Sequence, residues 1–198
     1  MGYSRVVKYG FCAAVIGILI ANMAMTGLLL QRVRTDRNSL QQLDQDMQII
    51  KQKLETEIQL RQDLFPQLKK SARLLQKYNP RLDFATALRY ASKIYECSDS
   101  KVSFEILTAL IVVESSANYR AVSSKGALGL TQVMPNIWKC DRTVLIDPYK
   151  NIEIGSSILR HYVGRHGLMG GLSAYNSGKK NASLRYARKV VRIASLHF

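Results

Sequence analysis

Apolar positions change their spacing three times along this chain. Gly10 to Leu30 is a run of 21 residues without a charge, with Asn22 its one strongly polar member. At ~1.5 Å per residue a helix of that length spans about 30 Å, one bilayer core, so the run predicts a transmembrane helix. A cleaved signal peptide is the competing reading. Its apolar core is usually ~7 to 15 residues long, and no A-x-A precedes a suitable cleavage point here.

From residue 31 to 78 the beat becomes seven residues. With Leu40 as position a, the a series is Leu40, Met47, Leu54, Arg61, Leu68 and Leu75, and the d series is Leu43, Ile50, Glu57, Leu64, Ser71 and Tyr78. Glu57, Arg61 and Ser71 interrupt the seam, and Pro66 lacks a backbone donor, which predicts a kink or an end there. The pattern predicts a helical stalk over residues 31–80, able to self-associate over residues 36–60. Asn79-Pro80 reads as a hinge, because the residue before a proline is pushed out of helical geometry.

Beyond the hinge the spacing is that of short amphipathic helices. Asp83 to Cys97 carries Phe84, Leu88, Ala91, Ile94 and Tyr95 on one face, and Ser103 is a natural N-cap for an apolar helix ending at Glu114. Asn136 to Cys140, Tyr149 to Tyr162, Leu168 to Tyr175 and Ala182 to Ala194 each read as helix, and no stretch combines period-2 alternation with turn signals. The expectation is an all-α chain: a tail over 1–9, a transmembrane helix over 10–30, a stalk over 31–80 and one globular domain over 81–198.

Charge sharpens that picture. The net charge of +15 is uneven: residues 154–198 hold eight Lys or Arg and no acid, whereas residues 81–153 hold nine against eight. A basic surface of this kind can meet nucleic acid, anionic lipid or acidic peptides, or can simply be a solvated helix face. No nucleic-acid-binding motif accompanies it, so no nucleic-acid partner is expected. Arg5 and Lys8 precede the apolar run while Arg32, Arg34 and Arg37 follow it, which mildly opposes a cytoplasmic N-terminus. Cys97 and Cys140 are the two cysteines outside the apolar run. Outside the cytoplasm they can form a disulfide, the alternative being two small buried thiols. No Cys or His spacing suggests a metal, and no cofactor is expected.

The chemistry concentrates between Ile111 and Pro135, I-V-V-E-S-S-A-N-Y-R-A-V-S-S-K-G-A-L-G-L-T-Q-V-M-P. The most apolar helix of the chain delivers one carboxylate, Glu114, and a Gly-rich turn brings back Gln132 and Met134. A glutamate in water titrates near ~4.3, but one held against apolar side chains rises to roughly 6 or 7 and can act as a general acid at neutral pH. A glutamate that merely closes an amphipathic helix is the bland alternative.

E-S-S-A-N, S-x-x-G-A-x-G-L-x-Q-x-M-P and the later A-Y-N at Ala174–Asn176, with D-P-x-x-N-I-x-x-G from Asp147 to Gly155 between the last two, resemble the motifs of the lysozyme-like lytic transglycosylases, glycoside hydrolase family 23. The resemblance covers roughly residues 81–198. It implies a lysozyme-like fold, peptidoglycan glycan strands as partner, and cleavage between N-acetylmuramic acid and N-acetylglucosamine with 1,6-anhydro ends. It implies Glu114 as the acid, and Ser115, Gln132, Met134, Tyr175, Asn176 and Tyr186 as substrate-positioning residues. It also implies a periplasmic domain on an inner-membrane anchor, since peptidoglycan lies outside that membrane. Thr131 stands where the family often has Met, and Lys179 where Pro is customary.

Two rival functions remain open at this point. A muramidase would hydrolyse the same bond with water, which normally needs a second carboxylate. Asp147, next to Pro148, reads as a helix N-cap, Glu153 sits on that helix, and no acid follows it. A non-catalytic wall-binding or assembly protein has no use for an intact Glu114.

Overall fold

The computed structural model describes residues 3–179, 182 and 184–198, with side chains from residue 21 onward. Its helices are α1 (Tyr3–Tyr78), α2 (Phe84–Glu96), α3 (Phe104–Ser115), α4 (Pro135–Trp138), α5 (Arg142–Ile146), α6 (Pro148–Ser177) and α7 (Leu184–His197). The all-α expectation is met among the described residues, where β pairing is confined to isolated bridges, Val122 with Leu128 and Leu128 with Val133. The chain divides into two units, residues 1–60 and 61–198.

Among the described residues the first unit is helix alone. Its seam residues Leu40, Leu43, Met47, Ile50 and Leu54 are exposed. The side chains of residues 10–20, most of the segment expected to cross a membrane, lie outside the described residues. Among the described ones, no helix is long and apolar enough to cross.

The second unit begins earlier than the Asn79-Pro80 hinge suggests. Ser71, Ala72, Leu74 and Leu75 of α1 are buried, and Leu68 packs against the same core. The Ser71 hydroxyl lies 3.0 Å from that of Thr108 on α3. Burial also explains why α1 runs past Pro66 instead of ending there: the lost backbone bond is outweighed by the apolar turns that follow. Asn79 closes the helix and donates from Nδ2 to Ala117 O (3.0 Å), tying this end of α1 to the segment after α3.

α3 is the axis of the main core. Ser103 caps it, and every residue from Ile106 to Val112 is buried. α7 packs against both α3 and α6. It turns Ala187, Val190, Ile193 and Ala194 inward, and leaves Arg185, Arg188, Lys189 and Arg192 exposed. The basic C-terminal third is to that extent a solvated helix face.

α6 joins the two segments that the sequence separates. Gly167, at φ 66° and ψ 174°, breaks the helical geometry between them. The second half turns closely enough that a Cβ on Gly171 would sit 2.7 Å from the Val163 backbone. Gly167 thus aims the end of α6, with Tyr175 and Asn176, at the site.

The disulfide expected between Cys97 and Cys140 is not formed: both thiols are free. Cys97 packs against the main core around α3, whereas Cys140 packs against a smaller cluster of Leu128, Val133, Leu145 and Ile158. The Cys140 thiol donates to Trp138 O at 3.4 Å.

Candidate active site

Glu114 is the last-but-one residue of α3, which ends in a left-handed cap at Ser116 (φ 52°) followed by Ala117 (φ 59°). The helix that delivers the carboxylate is embedded in core, so the carboxylate sits against apolar surroundings. Burial pushes its pKa up to about 7; the Tyr186 hydrogen bond and the Lys189 charge pull in the opposite direction. Desolvation dominates because the charged form loses water that these two partners do not fully replace. The Tyr186 hydroxyl donates directly to Glu114 Oε1. Burial also raises the pKa of Tyr186, which stays a protonated donor.

The turn after α3 is fastened from behind by the D-P-x-x-N-I-x-x-G run. Asp147 caps α6 by accepting from Lys150 N at 2.8 Å, and Pro148 fills its first position. One turn later the buried Asn151 side chain makes three contacts to the loop and one to α5. Its Oδ1 accepts from Thr131 N (2.8 Å) and Thr131 Oγ1 (2.7 Å), and its Nδ2 donates to Leu128 O (2.9 Å) and Leu145 O (3.1 Å). Two glycines make the approach possible. A Cβ on Gly129 would lie 2.3 Å from Asn151 Nδ2, and one on Gly155 would lie 2.2 Å from Thr131 Oγ1. Asn151 and Gly155 are therefore loop-positioning residues, and their signal in the sequence is the D-P-x-x-N-I-x-x-G run itself.

That fastening holds Gln132 at φ 52°, a left-handed conformation uncommon for a residue with a side chain. The Gln132 amide donates from Nε2 to Gly129 O (3.0 Å) and Ala121 O (3.2 Å). The Tyr175 hydroxyl donates to Thr131 O (2.7 Å), closing the loop from the α6 side.

Together these elements enclose a cleft of about 620 Å³, whose lining includes Glu114, Gln132, Met134, Trp138, Tyr175 and Asn176. Among the described residues Glu114 is the one carboxylate that lines it. Of the residues singled out from sequence, Gln132, Met134, Tyr175 and Asn176 come together there with Glu114, and Tyr186 reaches the acid from α7. Ser115 does not. Its hydroxyl donates to Leu130 O (2.8 Å) and Ile111 O (3.2 Å), tying α3 to the loop, and the residue faces a different depression beside Tyr119. The reason is helical: consecutive residues project about 100° apart, so Ser115 cannot share the direction of Glu114. Among the described residues no group of three or more His, Cys, Asp or Glu could hold a metal.

Comparison with known proteins bears on the same region of the chain. Residues 94–191 match the family model described as the transglycosylase SLT domain. Over 102 residues the chain is 34% identical to a protein called transglycosylase from Enterobacteria phage PRD1, an alignment taking in 47% of this chain and 38% of that protein. The chain thus spans well under half the length of this relative. Both findings are of similarity to transglycosylases, and the segment matched by the family model holds Glu114, Gln132, Tyr175 and Tyr186.

Proposed function

We propose that the protein cleaves the bond between N-acetylmuramic acid and N-acetylglucosamine in peptidoglycan and leaves 1,6-anhydro ends. The observation that carries this reading is a lone, desolvated acid in a polar-tipped cleft, Glu114 at a pKa of about 7. Protonated, Glu114 gives its proton to the glycosidic oxygen as the bond from that oxygen to the anomeric carbon breaks. The sugar's own N-acetyl group stabilises the positive charge left on the ring. Glu114, now a carboxylate holding the Tyr186 hydrogen bond, takes the proton of the C6 hydroxyl, whose oxygen bonds to the anomeric carbon. One group serves as acid and then as base, which a pKa near the working pH permits.

A hydrolase would need a base to activate water across the ring, and none of the other groups lining the cleft is a carboxylate. The C6 hydroxyl is already attached to the substrate, which favours it over free water. In this reading the domain works outside the inner membrane, held by the apolar segment 10–30.

The test is product mass from digested sacculi. Wild-type protein is expected to release muramic acid ends lighter by one water than reducing ends, and Glu114→Gln to release none while keeping its fold. Mainly reducing ends would transfer the protein to the muramidases. Retention of a tenth of the activity by Glu114→Gln would remove Glu114 from its role.

A further inference from the structure

One wall of the cleft is apolar and takes no part in the acid chemistry. α4 places Ile137 and Trp138 there beside Met134, and Tyr162 and Ile158 of α6 complete it. The Trp138 ring rests on two consecutive rings of α6. It stands at 81° to Tyr162 (centroids 5.8 Å apart) and at 81° to His161 (6.4 Å). Its backbone carbonyl also accepts the Cys140 thiol. Yet the indole is not consumed by the core: Trp138 is partly exposed, and its neighbour Ile137 is 66% exposed. Tyr175 packs against both apolar clusters, the main core around α3 and the smaller one on which Trp138 rests.

A held aromatic ring beside exposed aliphatic surface, in a cleft that Gln132 and Asn176 also line, matches the chemistry of a pyranose. Such a sugar has a face of C–H groups and a rim of hydroxyl and acetamido groups, and an aromatic plane desolvates the face while polar groups bind the rim. We infer that Trp138, braced by Tyr162, is a stacking platform for an N-acetylated sugar ring of the glycan strand, beside the ring pair whose bond Glu114 attacks. This inference rests on the proposed glycan-cleaving function and assigns it a second point of grip. The platform acts in binding: it holds the strand in register and touches none of the reacting atoms.

Trp138 is the chain's single tryptophan, so the proposal can be read without turnover. Glu114→Gln full-length protein is titrated with chitin oligosaccharides of four to six sugars while indole emission is followed. A saturable shift and quench is expected. In parallel, Trp138→Ala in the otherwise native chain is expected to raise KM on glycan strands about tenfold with kcat held within a factor of two, and Trp138→Phe, which keeps a ring, to recover most of the loss. Emission unchanged at saturating oligosaccharide, judged by equilibrium dialysis, would overturn the platform even if the alanine variant does not fold. Sugar-dependent emission in a protein whose wild type cleaves nothing would uphold the platform and overturn the reaction. Cleavage without any emission change would do the reverse.

Discussion

Tyr186, near the start of α7, donates its hydroxyl to Glu114 Oε1 at the end of α3, across 72 positions of sequence. The contact joins the last helix of the domain to the acid, so α7 belongs to the site as well as to the core. The hydrogen bond favours the charged carboxylate and lowers the pKa of Glu114 against the larger upward push of burial.

The acid form of Glu114 is the active form for bond cleavage. The kcat/KM of wild type on soluble glycan is therefore expected to be level below and to fall above a pH of about 7. Tyr186→Phe removes a donor to the carboxylate, so its falling limb moves to higher pH while kcat drops roughly ten- to hundredfold, the effect of losing one charge-assisted hydrogen bond. A limb that stays in place or moves down would show that Tyr186 does not act on the acid.

The second unit is expected to need the end of α1. Leu74 and Leu75 are almost fully buried, and each contributes roughly 1.5 to 3 kcal/mol by burial, a large part of a margin that is usually ~5 to 15 kcal/mol. A chain of residues 61–198 should unfold cooperatively, and one of residues 81–198 should not. Cooperative unfolding of the shorter chain in urea, followed by circular dichroism, would count against this.

This boundary shows where the sequence stops being legible. Leu68 and Leu75 continue the seven-residue beat of the stalk, and periodicity alone cannot tell a helix that faces a partner from one that faces its own domain. The apolar run capped by Ser103, the glutamate at its end and the turn after it are legible because local signals specify them. Ser115 shows the opposite limit. A motif gives order along the chain, whereas the direction of a side chain follows from helix rotation. The two cysteines likewise flank the site in sequence and belong to different apolar clusters in space. Thr131 reads as a departure at the family motif, yet it is the residue that Asn151 grips.

Asn151→Ala should therefore act on the site from behind. It leaves Thr131 N, the loop carbonyl of Leu128 and the α5 carbonyl of Leu145 without their buried partner, each unpaired buried group costing about 1 to 3 kcal/mol. Stability is expected to fall by roughly 3 kcal/mol or more. Activity measured well below the unfolding midpoint should fall as well, because Gln132 loses its support. Gly155→Ala, whose Cβ would meet Thr131 Oγ1, should show both effects from the other side of the same contact. Native activity in both variants would separate the network from the cleft.

Glu114 is also expected to weaken the fold that holds it. Its pKa is raised from 4.5 to about 7, so between those values the folded chain binds more protons than the unfolded one. Stability therefore falls as pH rises through this window and levels off above it. At 1.36 kcal/mol per unit, the loss is on the order of 3 kcal/mol. Glu114→Gln has no proton to lose and escapes the penalty. In urea unfolding of residues 61–198, wild type and variant should be nearly equal at pH 4. By pH 8 the variant should be the more stable by that amount, with the difference opening between pH 4.5 and 7. The sign matters, because a glutamate held mainly by Tyr186 and Lys189 would have a lowered pKa and would stabilise the fold as it ionised. A pH-independent difference, or one that favours wild type at pH 8, would show that burial does not govern the acid, and the mechanism built on a neutral Glu114 would go with it.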